Sequence, residues 1–327
     1  MIIAVDAAGG DYYPKNPVSG ALAALDERSD LQIIFVGPQD VIEKELNEYQ
    51  YPADRVDITD APEVIGMHES PAQAVKTKSK SSIVTGLKLN ANDDAQAFVS
   101  AGNTGALMAA SAFILGRLDG VIRPSIATIY PNIRGIGLMI DVGANLEVKP
   151  EMLHQFGTMG EIYARKVMNI EKPRVGLLNV GEEEEKGTEC LRSANKLLQN
   201  LPNFIGNVEG RDILFGNADV FVCDGYVGNI LLKFGETIPS TFEHILLKEI
   251  ERQQISSDQV KVISNLLKKA FEPFDYQRVG GVPFLGVNGV SLVGHGGSTT
   301  TAIKNMVLSA ARMVDEKVNS KIVDTIN

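Results

Sequence analysis

"SAGNTGALMAAS", residues 100–111, decides how this chain folds. It continues a short apolar run, "AFVS" (97–100), and within four residues becomes a small-residue segment with helical character. Gly102 and Gly105 let the backbone turn tightly and leave room beside it. Asn103 or Thr104 is placed to cap the helix, whose exposed N–H groups and positive dipole end then face outward. A strand that enters a helix through such a corner is the building unit of an α/β protein.

The same unit recurs along the chain. "IIAVD" (2–6), "LQIIFVG" (31–37), 97–100, "IATIYP" (126–131), "GLMID" (137–141), "RVGLLNV" (174–180), "DVFVCD" (219–224) and "VSLVG" (290–294) read as strands. Their apolar runs are continuous rather than alternating, which predicts a mostly parallel sheet covered on both faces. Helical patterns fall at 16–28, 38–49, 71–89, 104–117, 150–169, 187–199, 226–253, 259–271 and 298–318. The alternation predicts a three-layer α/β/α, doubly wound architecture in a single domain, 1–327. It breaks once, where two helical patterns follow each other without a strand; residues 236–274 read as a projecting helical hairpin. In its second arm Val260, Ile263, Leu267, Ala270, Phe271 and Phe274 form one apolar stripe, with Lys261, Lys268 and Lys269 off it.

Polar, glycine-rich corners follow six of the strands: "DAAGGD", "SAGNTGA", "DVGAN", "NVGEEEEKGTE", "DGYVGN" and "GHGGSTTTA". Ligands of open α/β sheets bind at strand C-terminal ends, so the six are expected to form one functional rim. Neither GxGxxG at a first turn nor GxxxxGK[ST] is present, which argues against a dinucleotide or a P-loop nucleotide. A small anion on a helix N-terminus remains, and phosphate is the natural choice.

Composition narrows the partners. The net charge of −10 over 327 residues argues against nucleic acid. Two cysteines without CxxC spacing, Cys190 and Cys223, read as reduced structural thiols in a reducing cytosol. "MIIAVDAAGGD" lacks the basic and apolar regions of a signal peptide, and no run of about 18 apolar residues is long enough to span a bilayer. No His/Cys/Asp cluster has metal-ligand spacing, so neither metal nor cofactor is expected.

These corners, with "HESPAQAVKTKSKSSI", "RP" (123–124), "GNVEGRDI" and "GVPFLGVNGV", resemble the phosphate acyltransferases of bacterial phospholipid synthesis from residue 2 to the last helix. Ala8 replaces the family's usual Met in the first corner, and "VGHGGSTTTA" is looser than its usual "SHGSS". The resemblance implies a fold similar to phosphotransacetylase and to the isocitrate/isopropylmalate dehydrogenases. It implies transfer of a fatty acyl group from acyl carrier protein to inorganic phosphate, with acyl phosphate passed to a membrane acyltransferase. It also implies a homodimer, peripheral on the inner face of the cell membrane.

Such chemistry needs an anion pocket, oxyanion donors and a proton donor for the thiolate. Gly102, Asn103, Thr104 and Gly105, with Asp141 and Ser298, are the candidates for phosphate. Lys186 is the candidate cation, for phosphate or for the oxyanion. His295 is the candidate proton donor; Asn229 and Asp224 complete the catalytic set. Lys76, Lys78 and Lys80 form a basic patch that suits an acidic carrier protein, with Lys76 and Lys80 four apart on one helix face. At the hairpin tip, Leu266, Leu267 and Phe271 are expected to touch the membrane. Two other readings compete. One is an NAD-dependent β-decarboxylating dehydrogenase of the same fold; the other is a non-catalytic adaptor of lipid-synthesis enzymes at the membrane surface.

Overall fold

The computed structural model describes residues 1–272, 277 and 280–327. Strands β1 (Ile2–Asp6), β2 (Gln32–Gly37), β3 (Val56–Asp60), β4 (Ala97–Ser100), β5 (Ser125–Asn132), β6 (Gly135–Ile140), β7 (Val175–Leu178), β8 (Phe204–Val208), β9 (Val220–Val222), β10 (Val282–Leu285) and β11 (Val290–Val293) form one sheet. Their order is β3-β2-β1-β4-β11-β10-β5-β6-β9-β7-β8. Residues of β4, β7, β9 and β11 are buried throughout, as continuous apolar runs require. Helices α1 (Lys15–Glu27), α6 (Pro150–Lys166) and Thr300–Asp315 cover one face through Val18, Phe156 and Met306. Helices α4 (Ser82–Ala91) and α5 (Thr104–Ile114) cover the other through Leu87 and Leu107. The result is the expected three-layer α/β/α arrangement.

Three strands have no counterpart in the sequence reading. β3 and β8 are the outermost strands, and "VDITD" and "FIGNV" lack the apolar continuity of the inner ones. β10 contains Pro283, a residue that argues against an interior strand. The sheet accommodates it because β10 changes neighbours there. Val282 and Pro283 pair with β11, while Phe284 and Leu285 pair with β5.

The sense of the strands corrects the expectation of one rim. β3, β2, β1, β4 and β11 are mutually parallel, as are β6, β9, β7 and β8. Between the two sets the pairs β11–β10, β10–β5 and β5–β6 are all antiparallel. Three reversals make the second set run against the first. The corners after β1, β4 and β11 therefore leave one edge of the sheet, and those after β6, β7 and β9 leave the other.

The hairpin consists of α9 (Gly225–Arg252), about 42 Å long at roughly 1.5 Å per residue, and α10 (Ser257–Phe271). No strand separates them. The end of the expected 236–274 hairpin, with Phe274, lies outside the described residues. Leu267 and Phe271 turn inward and share an apolar cleft with Pro239, Leu246, Leu247 and Ile250 of α9. The Phe271 ring meets Phe242 at a centroid distance of 6.1 Å. Of the three residues expected to touch a membrane, only Leu266 points outward, at 63% exposure. None lies at the tip, which is the turn 253–256, "QQIS". Leu267 and Phe271 face α9 because packing there removes part of their apolar surface from water.

Candidate active site

At the first edge the side chains are largely occupied with one another. Ser100 at the end of β4 donates its hydroxyl to Asp6 Oδ2 at 2.5 Å and accepts the Gly102 N–H at 3.0 Å. Burial pushes the Asp6 carboxyl above the usual carboxylate range, against the pull of hydrogen bonds from Ser100, Ser82, Ala8 and Gly9. Asn103 caps α5: its Oδ1 accepts the Ala106 N–H at 3.0 Å. Its Nδ2 donates to the carbonyls of Gly66, Met67 and Glu69. Asn103 thus ties the loop before α3 (Pro71–Thr77) to the helix start, and its amide is used up by the fold. Ser298 likewise donates its buried hydroxyl to the His295 carbonyl at 2.6 Å, closing a turn rather than facing a ligand. His295 is exposed, and its Nδ1 accepts the Gly297 N–H at 3.2 Å. Thr104, the first residue of α5, is exposed, and among the described residues its hydroxyl makes no hydrogen bond.

The three lysines separate. Lys78 donates to the Val64 carbonyl at 2.7 Å and pairs with Glu69 at 2.6 Å, so it fastens the 63–69 loop. Lys76 and Lys80 are both exposed. They do not share a helix face, because α3 ends at Thr77 and Lys80 lies in the turn before α4.

At the second edge the corners of β6, β9 and β7 lie side by side, about 4.8 Å apart at the strands. Asp141 follows β6 and is fully buried. Its Oδ1 accepts the N–H groups of Gly143 at 3.1 Å and Ala144 at 3.0 Å, and its Oδ2 those of Asn145 backbone at 2.8 Å and Asn145 Nδ2 at 2.7 Å. Burial raises its pKa and these donors lower it. The Ile126 N–H, 3.4 Å from Oδ1, is a fifth donor. A carboxylate already filled by five donors, and acceptor-only when ionised, repels phosphate instead of binding it; Asp141 organises the "DVGAN" turn. Asn145 also donates to the Pro124 carbonyl at 2.8 Å and accepts the Gly225 N–H on its own carbonyl at 2.8 Å. Asp224 caps α9 by accepting the Val227 N–H at 2.8 Å. Gly228 lets α9 lie on this turn: a Cβ there would stand 1.8 Å from the Asp141 carbonyl oxygen. One residue on, Asn229 is exposed beside Gly143, and its amide makes no hydrogen bond among the described residues.

Lys186 closes the corner after β7. Its backbone is held, with N–H to the Glu183 carbonyl at 3.1 Å and carbonyl to Asn179 Nδ2 at 3.2 Å. Its side chain is exposed and pairs with no carboxylate among the described residues. Glu183, Glu184 and Glu185 are exposed as well.

The structure therefore brings Lys186, Asn229, Asp224 and Asp141 to one edge. It places Gly102–Gly105, His295 and Ser298 at the other, with no hydrogen bond or ion pair between the two groups among the described residues. Sequence reasoning did not single out Asp6, Ser100 or Asn145. The Asp that opens both "DAAGGD" and "DVGAN" was the available signal. Among the described residues no group of His, Cys, Asp and Glu is arranged to hold a metal ion. Nor is any helix long and apolar enough to cross a membrane.

Residues 1–321 match a family model described as "Fatty acid synthesis protein". Over 330 residues the chain is 45% identical to a phosphate acyltransferase of Halothermothrix orenii, covering 100% of this chain and 99% of that one. It is 48% identical to the phosphate acyltransferase of Salinibacter ruber over 320 residues, covering 97% and 95%. The fold is similar to a phosphotransacetylase from Streptococcus pyogenes, with TM-score 0.64, 16% identity, and 97% of this chain and 94% of that chain covered. A phosphotransacetylase from Staphylococcus aureus gives TM-score 0.61 at 15% identity, covering 96% and 94%.

Proposed function

The chain belongs to the phosphate acyltransferase family and is an acyltransferase, and on that premise we propose that it transfers a fatty acyl group from acyl carrier protein to inorganic phosphate. The acyl phosphate then serves phospholipid synthesis through a membrane acyltransferase. The observation that carries the assignment of the site is that one edge presents two exposed donors, Lys186 and Asn229, which make no side-chain hydrogen bond among the described residues, while Asp141 holds the turn beside Asn229.

An oxygen of hydrogen phosphate attacks the thioester carbonyl. The Lys186 ammonium offsets the charge of the incoming phosphate, and the Asn229 amide donates to the developing oxyanion. The C–S bond then breaks, and the proton of hydrogen phosphate passes to the departing thiolate. The products are acyl phosphate and carrier thiol, with atoms and charge balanced. This sequence needs no proton from His295, which lies at the other edge of the sheet.

Lys76 and Lys80 supply exposed positive charge for an acidic carrier. Ile230, Phe234 and Ile245 are 52%, 66% and 58% exposed on one face of α9, which supports a homodimer packed on that helix. Val262 and Leu266, 59% and 63% exposed, with Lys269 on the same face of α10, support contact with an anionic membrane.

Phosphate-dependent release of free carrier thiol by the purified protein tests the reading. Lys186→Ala and Asn229→Ala should each lower kcat/KM by about 10²–10³-fold. Neither should shift Tm, because both side chains are exposed. Full activity in both variants would overturn the assignment of this edge.

A further inference from the structure

The acidic loop that carries Lys186 is held from beneath by buried amides. Asn207, in β8, donates through Nδ2 to the Glu183 carbonyl at 2.8 Å. The same carbonyl accepts the Lys186 N–H at 3.1 Å. Asn195, in α7 (Glu189–Leu198), donates through Nδ2 to Asn207 Oδ1 at 2.9 Å, which fixes the orientation of the Asn207 amide. At the other end of the loop, Asn179 donates to the Lys186 carbonyl at 3.2 Å and accepts the Val180 N–H at 2.8 Å. The three asparagines are 8%, 3% and 7% exposed for 179, 195 and 207. Gly187, at φ +83°, closes over Asn179; a Cβ there would stand 2.4 Å from Asn179 Oδ1.

Burying an amide is costly unless its donors and acceptors are met. Two of the three meet the backbone of 183–186 directly, and the third, Asn195, holds Asn207 in place; the side chains of that segment are themselves exposed. Apolar residues would fill the space beneath the loop without the desolvation cost. What the amides add is direction: they fix both ends of one short turn, and so the origin of the Lys186 side chain.

We propose that Asn179, Asn195 and Asn207 are positioning residues for Lys186, acting on the reaction only through it. The inference rests on the role given to Lys186 above. The loop is preorganised, so Lys186 meets phosphate without first ordering its own backbone.

The test is a double-mutant cycle on kcat/KM for phosphate, read by release of carrier thiol. Asn207→Leu removes the bond to the Glu183 carbonyl while keeping volume. In the parent it should lower kcat/KM by about 10- to 100-fold. In the Lys186→Ala background it should change kcat/KM by less than about twofold, because the residue it positions is gone. Amide hydrogen exchange at 183–187 should quicken in Asn207→Leu while the strands stay protected. If Asn207→Leu fails to fold, Asn195→Ala takes its place, since it frees the Asn207 amide to rotate. Equal losses in both backgrounds, no loss in the parent, or unchanged exchange would overturn the proposal. A Lys186→Ala variant with full activity would instead overturn the reading of Lys186 itself.

Discussion

The carboxylate of Asp6 and the hydroxyl of Ser100 stand 2.5 Å apart across the parallel pair β1–β4, both fully buried. The same hydroxyl oxygen accepts the Gly102 N–H, so one side chain supports two glycine-rich corners. Ser100→Ala leaves a buried carboxyl short of a donor and the Gly102 N–H without its acceptor. Unfolding in denaturant should show a loss of about 1–3 kcal/mol.

The raised pKa of Asp6 gives a pH signature. A carboxyl whose folded-state pKa exceeds its unfolded value, about 3.9, favours folding most below that value. The contribution is lost as pH rises through the folded-state pKa. The unfolding free energy of the parent minus that of Asp6→Asn should therefore fall as pH rises from about 4, then level off. A difference independent of pH would contradict this account.

Asn145 links the Asp141 turn to α9 and to Pro124. Asn145→Ala keeps the main-chain bond to Gly225 and loses both side-chain bonds. Displacement of the helix that carries Asn229 should lower kcat by about tenfold or more. Substrate KM and kcat, measured beside Tm, separate this from global unfolding, which would lower the active fraction without altering KM.

The two adjacent leucines of α10 should behave differently. Leu267 lies in the cleft against α9, so Leu267→Glu puts a charge among apolar side chains. It should loosen the hairpin, seen as faster amide exchange across 257–271. Leu266→Glu alters an outward residue and should leave exchange unchanged while weakening sedimentation with anionic vesicles. Vesicle binding unaffected by Leu266→Glu would remove α10 from the membrane contact.

Charge reversal at Lys76 and Lys80 should raise KM for acyl carrier protein several-fold, more at low salt than at high. Phosphate KM should stay constant. Lys78→Ala should instead lower Tm, because Lys78 holds the Val64 carbonyl and Glu69.

Much of the fold was legible in the amino-acid order. Continuous apolar runs such as "AFVS" can be buried only as inner strands, and the corners after them mark where strand passes to helix. The α9–α10 pair was legible for the same reason, as two amphipathic patterns with no strand between them. β3, β8 and β10 were not, since outer strands bury little and Pro283 reads as a break until its two half-pairings are seen. Likewise, the residue types of the candidate site were readable, but their grouping was not. Local sequence makes a corner, whereas the sense of a strand depends on which neighbours it pairs with, some of them more than 150 residues away. The three antiparallel pairings between β11 and β6 alone separate His295 and Asn103 from Lys186 and Asn229. Tertiary contacts also decide which polar groups remain available. Asn103, Asp141 and Ser298 are spent on partners within the fold, whereas the side chains of Lys186 and Asn229 are exposed and make no hydrogen bond among the described residues.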